Sequence, residues 1–296
     1  MEIEINYSFI IPHRNVPHLL QRCIDSIPKR DDIQIIIVDD NSDPKIVNFE
    51  CFPGLNEKCV EVYFTKEGKG AGYARNIGLT YAKGKWFLFP DADDHYTTDL
   101  MNVLDKYVNS NYDIILPSAI HLPATLFYKF KGLTDEDRVI FFKVMEEFYP
   151  EYYETAVDYI MNGNKDYAFN MFFCSWKIFS QMMEFVFGFL SCTEKYVKLQ
   201  PYTNGRRIFG YFSEYLIPIF CLKHRLRIKE MPIISMLQSE KPNYLVRKKN
   251  VFKRIINSFR AFIFSPLKYK RFPIAETMLR SLICDGILDH DGRLIK

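Results

Sequence analysis

The residues best suited to chemistry in this chain are acidic side chains that follow two short apolar segments. They are Asp91, Asp93 and Asp94 after the run 86–89, and Asp39 and Asp40 after the run 34–38. Burying an unpaired carboxylate is costly, so we expect these acids to lie at the ends of the apolar segments, facing solvent, and not inside them. Two carboxylates one residue apart can share a hard divalent cation through oxygen ligands. The spacing therefore favours a metal site for a phosphate-bearing substrate.

Each acidic group also has a simpler interpretation as a solvated turn, because Asp, Asn, Ser and Pro all favour turns. The two groups together argue against it. If both apolar runs are strands of one parallel sheet, their carboxyl ends lie at the same edge, which is where open α/β sheets bind ligands.

A glycine-rich turn lies between the two acidic groups. Gly68, Gly70 and Gly72 precede a predicted helix whose first turn contains Arg75. Free N–H groups at a helix N-terminus attract phosphate, and an arginine can pair with a diphosphate through two hydrogen bonds. The turn lacks the spacing of a dinucleotide-binding fingerprint and of a P-loop. An arginine on the surface of a solvated helix is the competing interpretation.

The elements that must position these groups alternate between strand and helix over the first 118 residues. Apolar, β-branched runs predict strands at 7–11, 34–38, 60–64, 86–89 and 112–116, and helical spacing predicts helices between them. This alternation predicts an α/β fold with a mostly parallel, Rossmann-like central sheet flanked by helices. After Pro123 the chain consists of long aromatic segments with helical patterns.

Composition limits the class of protein. With 296 residues and 48% hydrophobic content, the chain can bury a large core. Its seven cysteines include no Cys-x-x-Cys pair, which argues against a zinc site and against a disulfide framework, and favours a reducing, cytoplasmic location. The acidic N-terminus does not resemble a signal peptide, and no apolar stretch is long enough to predict a membrane span.

The positive charge is concentrated near the C-terminus. Residues 241–275 contain ten Lys or Arg and no Asp or Glu. Within them, 248–263 have the pattern of an amphipathic basic helix. Such a helix could dock its apolar face on the core, or residues 247–271 could adsorb to an anionic membrane surface. No nucleic-acid-binding module accompanies the charge, so we expect no nucleic-acid partner.

Glu214 is a single carboxylate among aromatic and aliphatic residues of a predicted helix. Such a side chain often faces solvent. If it faces a cleft instead, partial burial would raise its pKa and make it a better general base.

Four ordered motifs resemble the signature of glycosyltransferase family 2 on a GT-A fold. They are FIIPHRN at 9–15, IVDDNS at 37–42, GAGYARNIGL at 70–79 and FPDADD at 89–94. Further along, SWKIF at 175–179 looks like the family's Trp-x-Lys-Leu-Tyr region. FSEYL at 212–216 falls where a Glu-Asp pair usually supplies the catalytic base, so Ser213-Glu214 is a departure. The Gln-x-x-Arg-Trp motif of processive members is absent, which favours transfer of a single sugar.

The resemblance implies an inverting, metal-dependent hexosyltransferase that moves a sugar from a nucleotide-sugar, commonly a UDP-sugar, to an acceptor hydroxyl. By the same resemblance, the nucleotide-sugar-binding positions are Pro12, Arg14, Asp40, Gly72, Arg75, Asp91 and Ala92. Asp91 and Asp93 form the DXD pair that holds Mn²⁺ or Mg²⁺, and Glu214 is the catalytic base.

The resemblance also implies a domain organisation. Residues 1–235 form the GT-A domain, with 1–118 binding the nucleotide-sugar and 119–235 the acceptor, followed by a helical C-terminal extension at 236–296. The expected acceptor is a saccharide or a lipid-linked saccharide in bacterial-type polysaccharide or glycolipid synthesis, at the inner face of the cell membrane. Two alternatives stay open: a non-catalytic nucleotide-sugar or glycan-binding module, and a sugar-phosphate nucleotidyltransferase.

Overall fold

The structure, a computed structural model, describes residues 4–96, 98–129, 133–167, 170–198, 207–232, 234–236, 244–246, 251–264 and 271–295. The chain forms two compact units. The first contains Met1–Ile114 and Phe173–Ile178, and the second contains Ile115–Phe172 and Phe179–Lys296.

A four-stranded parallel sheet forms the centre of the first unit. Its strands are β1 (Tyr7–His13), β2 (Ile33–Asp40), β3 (Val60–Thr65) and β4 (Trp86–Leu88), in the order β3-β2-β1-β4. Every residue of β1 and β2 is buried. Strands covered on both faces are typical of parallel sheets flanked by helices, so the prediction of a mostly parallel α/β sheet is confirmed.

The helices of this unit are α1 (Pro17–Ser26), α2 (Ala71–Tyr81) and α3 (Leu100–Val108). Helix α2 packs directly on β1 and β2 through Ala74 and Gly78. A Cβ atom on Gly78 would lie 2.4 Å from Ile10 Cγ2, so the close approach of helix and sheet requires glycine there. This packing fixes the direction in which the start of α2 meets the carboxyl edge of the sheet.

The remaining strands and helices complete the two units. They are β5 (Ile114–Pro117), β6 (Ile120–His121), α4 (Asp135–Phe148), α5 (Pro150–Val157), β7 (Lys165–Asp166), β8 (Phe173–Cys174), α6 (Trp176–Glu194), α7 (Ile208–Lys223), β9 (Ile228–Met231), β10 (Ile234–Met236), β11 (Tyr244–Val246), α8 (Val251–Phe264) and α9 (Glu276–Cys284). A 3-10 turn (Leu126–Lys129) and a π-helical turn (Asp158–Asn162) also occur. The fifth predicted strand forms as β5, but it lies outside the four-stranded sheet, next to β9.

Aromatic side chains from successive helices form the core of the second unit. Phe141 of α4 is fully buried, and its ring centroid lies 4.9 Å from that of Phe189 in α6 and 5.1 Å from that of Phe212 in α7. Helix α4 begins with a capping box, in which Thr134 and Asp137 each accept a hydrogen bond from the other's backbone N–H. The aromatic pattern after Pro123 therefore builds a helical layer. Among the described residues, no helix combines the length and apolar character that crossing a lipid bilayer requires.

The predicted basic amphipathic helix forms as α8, but its apolar face does not pack on the core. The helix covers 251–264, whereas 247–250 and 265–270 of the predicted membrane-binding segment lie outside the described residues. Its polar side faces the second unit, where Asn257 donates a hydrogen bond to the backbone oxygen of His121. Its apolar side is exposed. The interpretation in which the apolar face packs on the core is therefore wrong for the described residues.

Candidate active site

The candidate donor site lies at the carboxyl edge of the parallel sheet in the first unit. Strands β2 and β4 both pair in parallel with β1, so the segments that follow them leave the sheet at the same edge. This confirms that Asp39 and Asp40, at the end of β2, share an edge with the acids that follow β4. One detail differs. Asp39 and Asp40 do not face solvent as predicted but are buried, because each has hydrogen-bond donors around it.

Asp39 is held by a buried histidine. His13 is paired with it in the strand register, and the two side chains lie 2.7 Å apart, from Nδ1 to Oδ1. The backbone N–H of Val16 donates to His13 Nε2 at 3.2 Å, so the ring proton sits on Nδ1 and points at the carboxylate. Ser42 donates its backbone N–H and its hydroxyl to the same carboxylate. Burial alone would raise the pKa of Asp39, but these hydrogen bonds outweigh it and lower the pKa below the usual value.

This network fixes the loop that follows β1. Ser42 Oγ accepts the backbone N–H of Asn15 at 2.9 Å, and Asn15 Oδ1 accepts the backbone N–H of Asp43 at 2.7 Å. Asn15 has a φ of +58°, in the left-handed region that asparagine tolerates better than most residues. The exposed Arg14 is therefore carried on a backbone that is anchored on both sides.

Asp40 anchors the glycine-rich turn. Its carboxylate accepts the backbone N–H of Gly70 at 2.5 Å, the backbone N–H of Lys69 at 3.1 Å and the hydroxyl of Thr65 at 3.3 Å. Gly70 has a φ of +96°, a conformation that favours glycine and lets two successive N–H groups point at one anion. The glycine-rich turn resembles a phosphate-binding turn in sequence, but these two N–H groups bind a carboxylate of the protein itself.

The same turn lies near Arg14. A Cβ atom on Gly68 would lie 3.7 Å from Arg14 Nη1 and 3.6 Å from Asn41 Nδ2, so the guanidinium group borders the turn that Asp40 holds. Gly72 follows in the first turn of α2, where it is exposed and a Cβ atom would meet nothing within 4 Å.

The acidic loop after β4 is tied to α2 and α1. Arg75 of α2 forms an ion pair with Asp91. Asp94 accepts the backbone N–H of Asp91 at 2.8 Å, and Arg22 of α1 donates to the backbone oxygen of Asp93 at 2.9 Å. Burial raises the pKa of Asp94, with the charges of Asp91 and Asp93 adding to the effect. Asp94 therefore supports the loop, while the carboxylates of Asp91 and Asp93 are exposed.

Arg75 has a further hydrogen-bonding group to offer. Its Nε is buried and, among the described residues, has no hydrogen-bond partner. A buried donor without a partner calls for an explanation, and a ligand oxygen is one. Two other predicted nucleotide-sugar-binding residues, Pro12 and Ala92, are buried.

The described carboxylates of this edge do not form a metal site by themselves. Within the described parts of the chain, no three His, Cys, Asp or Glu side chains converge closely enough to hold a metal ion by themselves. Mg²⁺ commonly binds through one or two carboxylates together with the phosphates of a substrate, and does not need an all-protein cage. The exposed Asp91 and Asp93 fit a cation of that kind, which would be bound jointly with a diphosphate.

Glu214 lies on α7 in the second unit. It is half-buried and lines a recess together with Pro117 of β5, Tyr167 and Asn170. Burial raises the pKa of Glu214, the charge of Lys129 lowers it, and the charge of Asp166 raises it. Lys129 and Asp166 form an ion pair with each other, and Asp166 is almost fully buried.

Ser213, the residue before Glu214, forms a hydrogen bond within its own helix. Ser213 donates its hydroxyl to the backbone oxygen of Gly210 at 2.8 Å, one turn earlier in the same helix. Glu214 accepts no hydrogen bond from the described residues. Of the two, Glu214 is the one with a raised pKa and a place in a recess.

The structure thus groups most of the predicted residues in the first unit, where Arg75 contacts Asp91 directly, while Glu214 belongs to the second unit. Sequence reasoning missed two supporting residues, His13 and Arg22. The register of two neighbouring predicted strands could have paired His13 with Asp39, since His13 ends β1 and Asp39 is the next-to-last residue of β2. No sequence signal marks Arg22.

Comparison with known proteins identifies similar chains. The family model described as Glycosyl transferase family 2 matches residues 8–183. A PGL/p-HBAD biosynthesis glycosyltransferase from Mycobacterium bovis is 28% identical over 140 residues, which cover 46% of this chain and 54% of the relative. The minor teichoic acid biosynthesis protein GgaB from Bacillus subtilis is 32% identical over 128 residues, which cover 39% of this chain and 14% of the relative. This chain therefore spans about half, or less, of the length of these curated relatives.

A solved structure shares the fold. The WbbM bifunctional glycosyltransferase matches with a TM-score of 0.52 and 14% identity, over 78% of this chain and 45% of that one. The shared architecture is the GT-A fold, which the four motifs implied.

Proposed function

Because the chain belongs to glycosyltransferase family 2, we propose that it transfers one sugar from a nucleotide-sugar to an acceptor hydroxyl. The observation that carries the proposal is the ion pair of Arg75 with Asp91 beside the exposed Asp93. This arrangement offers a diphosphate both a guanidinium group with an unpartnered Nε and two oxygen ligands for its counter-cation. The donor is a UDP-sugar, as is common in the family.

The nucleotide-sugar contacts are assigned to the loops at this edge. Arg14 borders the glycine-rich turn that Asp40 holds in place. We assign Pro12, Arg14 and Asp40 to the wall of the nucleoside pocket, where Arg14 is the exposed side chain. Arg75 contacts the diphosphate, and the backbone at Gly72 and Ala92 lies against the donor. Asp91 and Asp93 would hold Mn²⁺ or Mg²⁺, which would supply Lewis-acid stabilisation of the leaving diphosphate.

The reaction inverts the anomeric carbon. The acceptor oxygen forms a bond to this carbon while the bond to the diphosphate oxygen breaks, and the nucleoside diphosphate leaves with the electron pair. Glu214 accepts the acceptor's proton. Its raised pKa supports this role, because a carboxylate with a higher pKa is a stronger base. General-base assistance of this kind contributes about 10² to 10⁴ in rate.

The acceptor is a saccharide or lipid-linked saccharide of bacterial-type polysaccharide or glycolipid synthesis, used at the cytoplasmic face of a membrane. The similarity to GgaB, a minor teichoic acid biosynthesis protein, supports a cell-surface polymer as the product class. All seven cysteines are free, which supports a reducing compartment.

The test is to incubate the protein with UDP-, GDP- and CMP-sugars, with Mn²⁺ or with EDTA, and to measure release of nucleoside phosphate with and without saccharide acceptors. We expect release from a UDP-sugar that needs the cation and increases with acceptor. Binding without turnover for every acceptor would favour the glycan-binding module. Formation of pyrophosphate from a sugar phosphate and a nucleoside triphosphate would favour the nucleotidyltransferase.

A further inference from the structure

Helix α8 presents its apolar side to solvent. Seven apolar residues of this helix are each between 40% and 74% exposed: Val251, Phe252, Ile255, Ile256, Phe259, Phe262 and Ile263. At about 100° per residue they occupy one continuous arc of about 140° on the helix surface. We call this arc the α8 apolar face. Exposed apolar surface gathered on one helix face marks a binding surface, unlike single exposed apolar residues.

The opposite side of the helix fixes this orientation. Arg254 donates to the backbone oxygen of Ala119 at 3.4 Å and lies 3.9 Å from the carboxylate of Glu230. Asn257 donates to the backbone oxygen of His121 at 2.7 Å. Ala261 is only 3% exposed. Because polar side chains hold α8 to the second unit, turning the apolar face inward would break these hydrogen bonds.

The basic residues of α8 border its apolar face. Lys253 and Arg260 lie about 40–60° beyond one edge of the arc, at about 100° per residue, and both are exposed. An in-plane membrane helix places such side chains at the level of the headgroups, with their aliphatic stems along the apolar surface. The fourteen residues of α8 span about 21 Å, less than the ~30 Å hydrocarbon core, which suits a helix lying in the interface.

Charge identifies the occupant of this face. Residues 241–275 carry ten basic and no acidic residues. In a symmetric dimer through this face, Lys253 and Arg260 of the two copies would lie close together and repel, whereas anionic lipid headgroups would attract them.

We infer that the α8 apolar face is a docking surface for an anionic membrane, into which the helix inserts in the plane of the interface. The inference deepens the proposed function. Its relevance to a lipid-linked acceptor rests on that function. Vesicle binding itself does not depend on catalysis.

The test uses the whole protein and flotation with vesicles of phosphatidylcholine alone or with phosphatidylglycerol. We expect binding to the anionic vesicles that weakens at high salt. The double variant Phe252→Ser/Phe259→Ser should bind at least about tenfold more weakly. Phe187→Ser, which removes an exposed phenylalanine from α6, is the control and should bind as the wild type does.

A second pair of variants tests the charge. Neutralising Lys253 and Arg260 with glutamine should weaken binding about fivefold per charge. Neutralising Lys58 and Lys195, which are exposed elsewhere on the surface, should leave binding unchanged. Failure of the wild type to float with anionic vesicles would overturn the inference. So would a dimer in sedimentation equilibrium that Phe252→Ser/Phe259→Ser dissociates, since the occupant would then be a second copy.

The two proposals can fail separately. Sugar transfer to a water-soluble acceptor, measured on the same preparations without vesicles, reports on the proposed function alone. Transfer without vesicle binding would refute only the membrane surface, and vesicle binding without transfer to any acceptor would refute only the proposed function.

Discussion

Replacing Asp40 with asparagine should destabilise the protein through the glycine-rich turn. Asp40 is 2% exposed, and its two carboxylate oxygens accept hydrogen bonds from Thr65, Lys69 and Gly70. The backbone N–H of Lys69 and the hydroxyl of Thr65 both donate to Oδ1, while the backbone N–H of Gly70 alone donates to Oδ2. Asparagine has only one acceptor oxygen, so Asp40→Asn sets an NH₂ group against at least one N–H donor.

The expected loss can be estimated from these contacts. A buried donor left without an acceptor costs about 1–3 kcal/mol, and a hydrogen bond to a charged group contributes about 1.5–3 kcal/mol against about 1 kcal/mol for a neutral one. With the Gly70 bond lost and the remaining bonds weakened, we expect Asp40→Asn to lower the free energy of unfolding by about 2–4 kcal/mol.

The assay is urea unfolding of the purified protein at neutral pH, followed by circular dichroism. Asp31→Asn is the matched control, because the Asp31 side chain is 70% exposed and its neutralisation should change stability by less than about 0.5 kcal/mol. A loss below about 0.5 kcal/mol for Asp40→Asn would refute the assignment of Asp40 as the anchor of this turn.

Three further predictions concern the candidate site. Arg75→Gln should weaken binding of UDP by about tenfold or more, as expected for loss of a charged hydrogen bond. It should change stability by less than about 1 kcal/mol, because its partner Asp91 is 60% exposed; calorimetry and thermal unfolding measure the two effects. Glu214→Gln should lower kcat by about 10² to 10⁴ without changing UDP affinity. Because burial raises the pKa of Glu214 above 4.5, the wild-type rate should fall on acidification through a pKa above that value, and the variant should lack this limb. The pKa of Asp39 is lowered in the folded protein. The ionised side chain therefore stabilises the fold at pH values above its usual pKa of 3.8, and this stabilisation is lost as the pH falls through the lowered pKa. Asp39→Asn should therefore be less stable at neutral pH, and its unfolding free energy in urea should vary less between pH 5 and about 2.

Each of these has a contrary outcome. Unchanged UDP affinity in Arg75→Gln would remove the arginine from the donor site. A Glu214→Gln enzyme with wild-type kcat would show that another group accepts the proton. An identical dependence of stability on acidic pH in Asp39→Asn and the wild type would mean that His13 and Ser42 do not favour the ionised carboxylate.

The sequence predicted the parallel sheet because its signals are local. The runs that became β1 and β2 are continuous and apolar, and a strand of this kind has few alternatives to a sheet covered on both faces. Strand β5 shows the limit of such signals. Its own residues predict a strand, but its neighbour β9 comes more than a hundred residues later in the chain, and no local pattern specifies that pairing.

For the acids of the site, too, local sequence signals predict some features, whereas others depend on residues from distant segments. Their position at strand ends follows from the cost of burying a charge, and for Asp91 and Asp93 the prediction of exposure is confirmed. Asp39 and Asp40 depart from it because the partners that make their burial tolerable come from other segments, at His13 and at the glycine-rich turn. The sequence also could not predict which side of α8 faces the protein. A helical wheel separates its apolar and polar sides, but only the bonds of Arg254 and Asn257 show which side faces the protein.

We propose above all that the edge with Asp91 and Asp93 binds a nucleoside diphosphate together with a divalent cation. The most direct test is the calorimetric affinity for UDP with and without Mn²⁺, in the wild type and in Asp93→Asn. We expect Mn²⁺ to tighten UDP binding about tenfold or more in the wild type and to have little effect in the variant. Equal affinity with and without Mn²⁺ in the wild type, or the same gain in Asp93→Asn, would contradict it.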